Sequence, residues 1–197
     1  MTGVYGNPAG IEGTDRFTLT GLGDRDIVLA EYEPDGGCVR ATLHGGSYMD
    51  MPASIACDAD GNVYLSGGIT DGTLGDTAGV AGVDFFTLAT APSLGRFLAK
   101  FDNGGRCVWR HHDACASDAY GSGIAADRSG AVFSAGVFDG TVSVGDPAGA
   151  DGVGRFEISS AGGMNSFLAR YEPPARNAAW GHPAVTLAHA TFDGLDA

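Results

Sequence analysis

The sequence predicts an all-β protein assembled from repeated four-stranded antiparallel sheets, and three observations carry that prediction. The first is composition. Among 197 residues there are 33 Gly, 19 of the 24 acidic residues are Asp, Lys occurs once at Lys100, and Gln is absent. Asp and Gly belong to turns, whereas Glu, Lys and Gln favour helices. The second is a period: Leu29 to Leu98, Cys38 to Cys107 and Ile55 to Ile124 are each 69 residues apart, and Leu98 to Leu168 is 70. The third is local pattern. Short runs rich in Val, Ile, Phe and Tyr end at Asp-Gly or Asn-Gly turns, and no segment holds a helical apolar period over three turns.

The repeat is best seen in "DIVLAEYEPDGGCV" from Asp26, "RFLAKFDNGGRCV" from Arg96 and "SFLARYEPPARNAAW" from Ser166. Between Cys38–Gly61 and Cys107–Gly130 the copies align without a gap, and "RFTL", "FFTL" and "RFEI" echo at Arg16, Phe85 and Arg155. Each unit reads as strand "SIACDA", a turn, strand "NVYLSGG", and a long Gly/Asp-rich connection carrying the "FTL" phrase. Strand "RFLAKFD", a turn "NGG" and strand "CVWRHH" complete it. Phe97, Leu98, Ala99 and Phe101, like Val28, Leu29, Ala30 and Tyr32, make runs that are apolar at most positions. A sheet with one wet face would alternate more cleanly, so these sheets are expected to be covered on both faces. Radially stacked four-stranded blades, as in a β-propeller, meet that need.

The expected division is a partial unit over 1–53, complete units at about 54–121 and 122–181, and a remainder, 182–197, that starts a further unit or forms a tail. The opening "TGVY" (Thr2 to Tyr5) is similar to "AGVF" (Ala135 to Phe138), which puts the N-terminus in the middle of a unit. Closed propellers have typically 4–8 blades. The expectation is therefore a partial or open array, either a fragment of a larger one or a ring completed by another chain. Such an end exposes strand edges and apolar faces.

The phrases "IACDADGNVYLSGG", "RFLAKFDNGGRCVW" and "SAGGMNSFLARYEP" resemble the repeats of the bacterial SBBP family, a β-propeller repeat. A unit of that family runs roughly Ile-Ala-x-Asp-x-x-Gly-Asn-Val-Tyr-x-x-Gly, a Gly-rich connection, Phe-x-Ala-Lys-Tyr-Asp, then Gly and a Trp. The likeness covers roughly residues 3 to 180. It implies propeller blades and an extracellular or cell-surface setting in bacteria, and it brings no catalytic residues with it.

A formal net charge of −13 argues against nucleic acid and against an anionic membrane surface, both of which select clustered Lys and Arg. Its ordinary role is solubility, with some attraction for cations. No apolar run approaches the ~20 residues of a membrane span. "MTGVYGNPAG" has neither a basic n-region nor an apolar h-region, so no secretory signal is expected in it, and as written the chain reads as cytoplasmic or as part of something larger. Cys38, Cys57, Cys107 and Cys115 lack C-x-x-C spacing and do not fix the compartment.

Asp58, Asp60 and Asn62 begin like an EF-hand loop, but its sixth place is Val63 and its twelfth Ile69; the second copy has Asp127, Ser129 and Ala131. What persists is Asp58/Asp127 and Gly61/Gly130, the signature of an Asx-capped hairpin turn, and no metal is expected there. In "RHHDAC", His111, His112, Asp113 and Cys115 include zinc-ligand types, but adjacent strand residues face opposite ways, and the preceding unit has Thr42 and Leu43 at the histidine places. Cys38 and Cys107 read as packing residues rather than a disulfide pair, and Trp109 and Trp180 as aromatics between blades. No nucleophile–base motif, metal motif or cofactor loop is present. The expected function is a non-enzymatic module presenting loops to a protein or carbohydrate ligand. The alternatives are a propeller-fold hydrolase or lyase with a site on the central axis, and a structural spacer.

Overall fold

The structure, a computed structural model, describes residues 2–75, 77, 81, 84–88, 93–113, 119–145, 155–160 and 162–172, together with the backbone of 185–190. Its strands in chain order are β1 (Thr2–Gly6), β2 (Arg16–Thr20), β3 (Ile27–Tyr32), β4 (Cys38–His44), β5 (Met51–Cys57), β6 (Val63–Ile69), β7 (Gly72–Gly75) and β8 (Phe85–Leu88). They continue with β9 (Gly95–Phe101), β10 (Cys107–Asp113), β11 (Ala119–Ala126), β12 (Val132–Phe138), β13 (Thr141–Gly145), β14 (Arg155–Ser159), β15 (Asn165–Tyr171) and β16 (Val185–Ala190). The described residues contain no helix. The all-β expectation holds, and the sheets are small, antiparallel and open.

Two sheets share one plan. The second unit is a meander in the order β5-β6-β9-β10, and the third is β11-β12-β15-β16. Each sends a separate two-stranded hairpin out of the connection after its second strand, β7-β8 in one and β13-β14 in the other. The first unit has the hairpin β1-β2 and the outer pair β3-β4. The recurring "FTL" phrase is thus a strand, since β2, β8 and β14 contain "RFTL", "FFTL" and "RFEI".

Two expectations change at the ends of the chain. "TGVY" belongs to hairpin strand β1 and matches β7 and β13, whereas "AGVF" lies in β12, the second strand of its sheet. Likeness of two short apolar phrases misled because hairpin and sheet strands use the same residues. The second correction concerns 182–197. Val185–Ala190 starts no new unit but pairs with β15 as the fourth strand of the third. In sequence, Pro173, Pro174 and Ala175 stand where the earlier units carry Pro34-Asp35-Gly36 and Asn103-Gly104-Gly105, so the positive-φ glycine of those turns is not repeated.

The units stack face to face over two cores. Ile27, Leu65, Ile69, Phe97, Ala99 and Phe101 form the core between the first and second units. Tyr64 and Leu98 meet Val132, Phe138, Phe167, Ala169 and Tyr171 between the second and third. Strand β9 is therefore buried on both faces, which explains its unbroken apolar run. Gly67 and Gly136 are required by these cores: a Cβ would lie 2.8 Å from the Phe97 ring or 2.7 Å from that of Phe167.

Candidate functional site

Asp58 closes its own turn. Its Oδ1 accepts from the backbone N–H of Asp60 (3.0 Å) and Asn62 (2.9 Å), and its Oδ2 accepts from Asn62 Nδ2 (2.8 Å) and Tyr64 OH (3.0 Å). Burial pushes this carboxyl up, but the Asn62 and Tyr64 hydrogen bonds outweigh it and hold it below its ordinary value. Asp127 repeats the arrangement, accepting from Ser129 N (2.8 Å) and Ala131 N (3.0 Å). Gly61 and Gly130 sit at φ 80° and 83°, where a Cβ would be strained. The carboxylates are engaged by the turn that the two copies share.

The "RHHDAC" segment is divided between two surroundings. His111 turns toward the third unit, where the Gly145 backbone nitrogen lies 3.2 Å from its Nε2 and its ring lies 6.0 Å from that of Tyr171. His112 reaches back to the Ile69 backbone, and burial lowers its pKa. Cys115 and Trp180 lie outside the described residues. Cys38 and Cys107 are buried free thiols in the cores, and burial pushes the Cys107 thiol up to about 12. Trp109 packs edge-on against Tyr171 across the junction, as a packing aromatic would.

At that junction lies a buried polar cluster. Arg96 on β9 donates from Nε to Asp113 Oδ2 (2.6 Å), from Nη1 to Ser134 Oγ (3.1 Å) and from Nη2 to Tyr171 OH (2.7 Å). Its guanidinium also covers the Phe167 ring at 4.8 Å. The other oxygen of Asp113 contacts His111 Nε2. All five polar side chains are at most 2% exposed. Burial alone raises the Asp113 carboxyl; the Arg96 guanidinium and His111 more than offset this and lower it. Burial pushes the Tyr171 phenol up to about 12, against the opposing pull of Arg96.

Aligning the units explains where this cluster came from. Arg96, Asp113, Ser134 and Tyr171 stand at the places of Ile27, His44, Leu65 and Phe101. In the first junction those residues make an apolar cluster, with the His44 ring 5.1 Å from Phe101. His44 Nδ1 accepts from the Gly75 N–H (3.2 Å), and its Nε2 lies 3.0 Å from Thr42 Oγ1. Burial lowers its pKa to about 4, so the ring is neutral. The histidine has moved two places along the strand between units, from 44 to 111, yet in each a ring nitrogen lies 3.2 Å from the backbone nitrogen of the glycine that ends the first strand of the next unit's hairpin, Gly75 or Gly145. Sequence reading missed Arg96; the signal was a lone arginine in an apolar strand, matched by three polar replacements at equivalent places.

What the cluster can do chemically follows from its geometry. Ser134 Oγ is held by Arg96 and not by an imidazole, so the serine is not paired with a base. With every member buried, the cluster joins sheets. A more open feature is a groove of about 440 Å³ beside the first unit, where Tyr5, Leu19, Val28 and Leu43 meet Asp26 and Asp50. Asp50 binds the Thr70 and Gly46 N–H groups (3.0 and 2.8 Å), and burial raises its pKa.

These features define a repeat protein of face-stacked antiparallel meanders whose junctions differ in chemistry. No family model matches the chain, and no curated protein matches it.

Proposed function

We propose that the chain is a run of β-propeller-type blades of the SBBP kind, acting as a non-enzymatic module that presents its hairpin loops to a protein or carbohydrate ligand outside the cell. The meander order of the two complete sheets, their face-to-face stacking and the hairpin at one fixed place in each unit support the blade reading. One observation carries the binding reading. The loop of the first hairpin is pre-shaped: Asp15 Oδ1 accepts from Ile11 N (2.6 Å), and Glu12 Oε1 accepts from Thr18 N (2.6 Å). At its apex Ile11 is 71% exposed. An ordered loop displaying an apolar side chain has already met much of the entropy cost of binding.

The test is a labelled chain probed against arrays of bacterial glycans and envelope proteins, at protein concentrations in the nanomolar range. A ligand whose binding weakens more than about tenfold in Ile11→Asp is the expected result, the scale of an interface anchor. Binding that ignores this substitution, or no binding across both arrays, would overturn the loop-presentation reading.

A further inference from the structure

The repeat exposes at one end of the molecule a face that it buries in the middle. In the second unit, Tyr64 and Leu98 are 2% and 0% exposed because the third unit covers them. In the third unit the same places hold Phe133 and Leu168, which are 36% and 46% exposed. The match extends to detail: Lys100 Nζ lies 5.1 Å over the Tyr64 ring, and the Arg170 guanidinium lies 5.6 Å over the Phe133 ring. The opposite end shows the converse. Phe97, Ala99 and Phe101 on β9, and Phe167, Ala169 and Tyr171 on β15, are all buried against the preceding unit. Their counterparts on β3 are Val28, Ala30 and Tyr32, of which Tyr32 is 52% exposed. Among the described residues, no strand pairs with the second edge of β3.

We propose that these two faces bind each other between molecules, so that the third unit of one copy stacks on the first unit of a second copy, head to tail. The occupant is argued from continuity with an existing interface, because both faces already form the junctions inside the chain. Leu168 would take the place of Leu98, and Tyr32 of the partner copy the place of Phe101 or Tyr171. Such a contact is heterologous: each molecule keeps one free face of each kind, so the assembly extends into a ring or an open row rather than stopping at two. The inference rests on equivalence of positions between units and is independent of the loop-binding reading, so either can fail alone.

Sedimentation velocity and light scattering across a concentration series test this on the full chain. The wild type is expected to show species larger than a dimer that grow with concentration. Leu168→Asp and Tyr32→Asp should each weaken association more than about tenfold. Mixed one to one, they should form a dimer and nothing larger, since L168D retains the Tyr32 face and Y32D retains the Leu168 face. Circular dichroism checks that each variant is folded, with Leu168→Ser and Tyr32→Ser in reserve if an aspartate unfolds its strand. A wild type that stays monomeric at high concentration overturns the proposal. So does association that neither substitution weakens, or a mixture that fails to recover the dimer.

Discussion

Removing Arg96 alone should unfold more of the molecule's stability than converting the whole junction to the chemistry of its neighbour. In Arg96→Ile the hydrogen bonds to Asp113 (2.6 Å), Ser134 (3.1 Å) and Tyr171 (2.7 Å) disappear together. Asp113, 1% exposed, is then left as a buried carboxylate without its guanidinium. Breaking a buried pair from one side costs about 3–5 kcal/mol, mostly the desolvation of the stranded charge. The combined variant R96I/H111T/D113H/S134L/Y171F rebuilds the first junction at the second. Exchange of a complete buried ion cluster for well-packed apolar groups is neutral or stabilising by about 1–4 kcal/mol. Urea unfolding followed by tryptophan fluorescence and circular dichroism reads both. At a slope of about 2–3 kcal/mol/M, the single variant lowers the midpoint by about 1.5 M, while the combined one restores it. A loss below about 1 kcal/mol in R96I, or a combined variant weaker than R96I, would refute the claim that one junction's chemistry can substitute for the other's.

Acid should destabilise the first junction through His44. Its folded pKa of about 4 lies below the unfolded 6.5, so the unfolded chain binds the extra proton; stability is full above pH 6.5 and falls by about 3 kcal/mol by pH 4. His44→Gln keeps an acceptor for the Gly75 N–H and should flatten that part of a stability-versus-pH curve measured by urea midpoints; an unchanged slope contradicts the assignment. Asp58→Ala and Asp127→Ala should each lower stability by about 1–2 kcal/mol through the lost turn hydrogen bonds. Millimolar calcium should leave the melting temperature of the wild type unchanged, and a clear rise would reinstate a cation site at Asp58.

How far the sequence could be read depended on what a one-dimensional alignment exposes. Strands β5, β6, β9 and β10 were legible because Asp-Gly turns and β-rich runs mark them directly. The hairpin strand β8 was not, although "FFTL" stands in register with "RFTL" and "RFEI". Between Gly75 and Phe85 the chain carries no compact turn signal, and pairing over such a gap depends on tertiary contact rather than local chemistry. The fourth strand of the third unit, Val185–Ala190, lies beyond the expected bound at 181 because Trp180 resembles Trp109 in its place in the unit, while the sequence after Tyr171 lacks the glycine turn signal of the earlier units. His111 and Asp113 were singled out for the right residue types. Their partner Arg96 is 17 residues away from Asp113 in sequence and directly beside it in the sheet, where Asp113 pairs with Arg96 across β9 and β10.

The unlike junctions also bear on how the chain emerges from a ribosome. Tandem units with similar sequences are prone to dock on the wrong neighbour while the rest is still being made. Here a third unit that settled on the first would bring Ser134 and Tyr171 against Ile27, leaving two hydroxyls buried without partners. The skipped second unit would meanwhile keep Arg96 and Asp113 without the residues that complete their shell. Each stranded polar group costs about 1–3 kcal/mol. The exchange of four side chains thus acts as an address: it tells each newly made unit which earlier one to join.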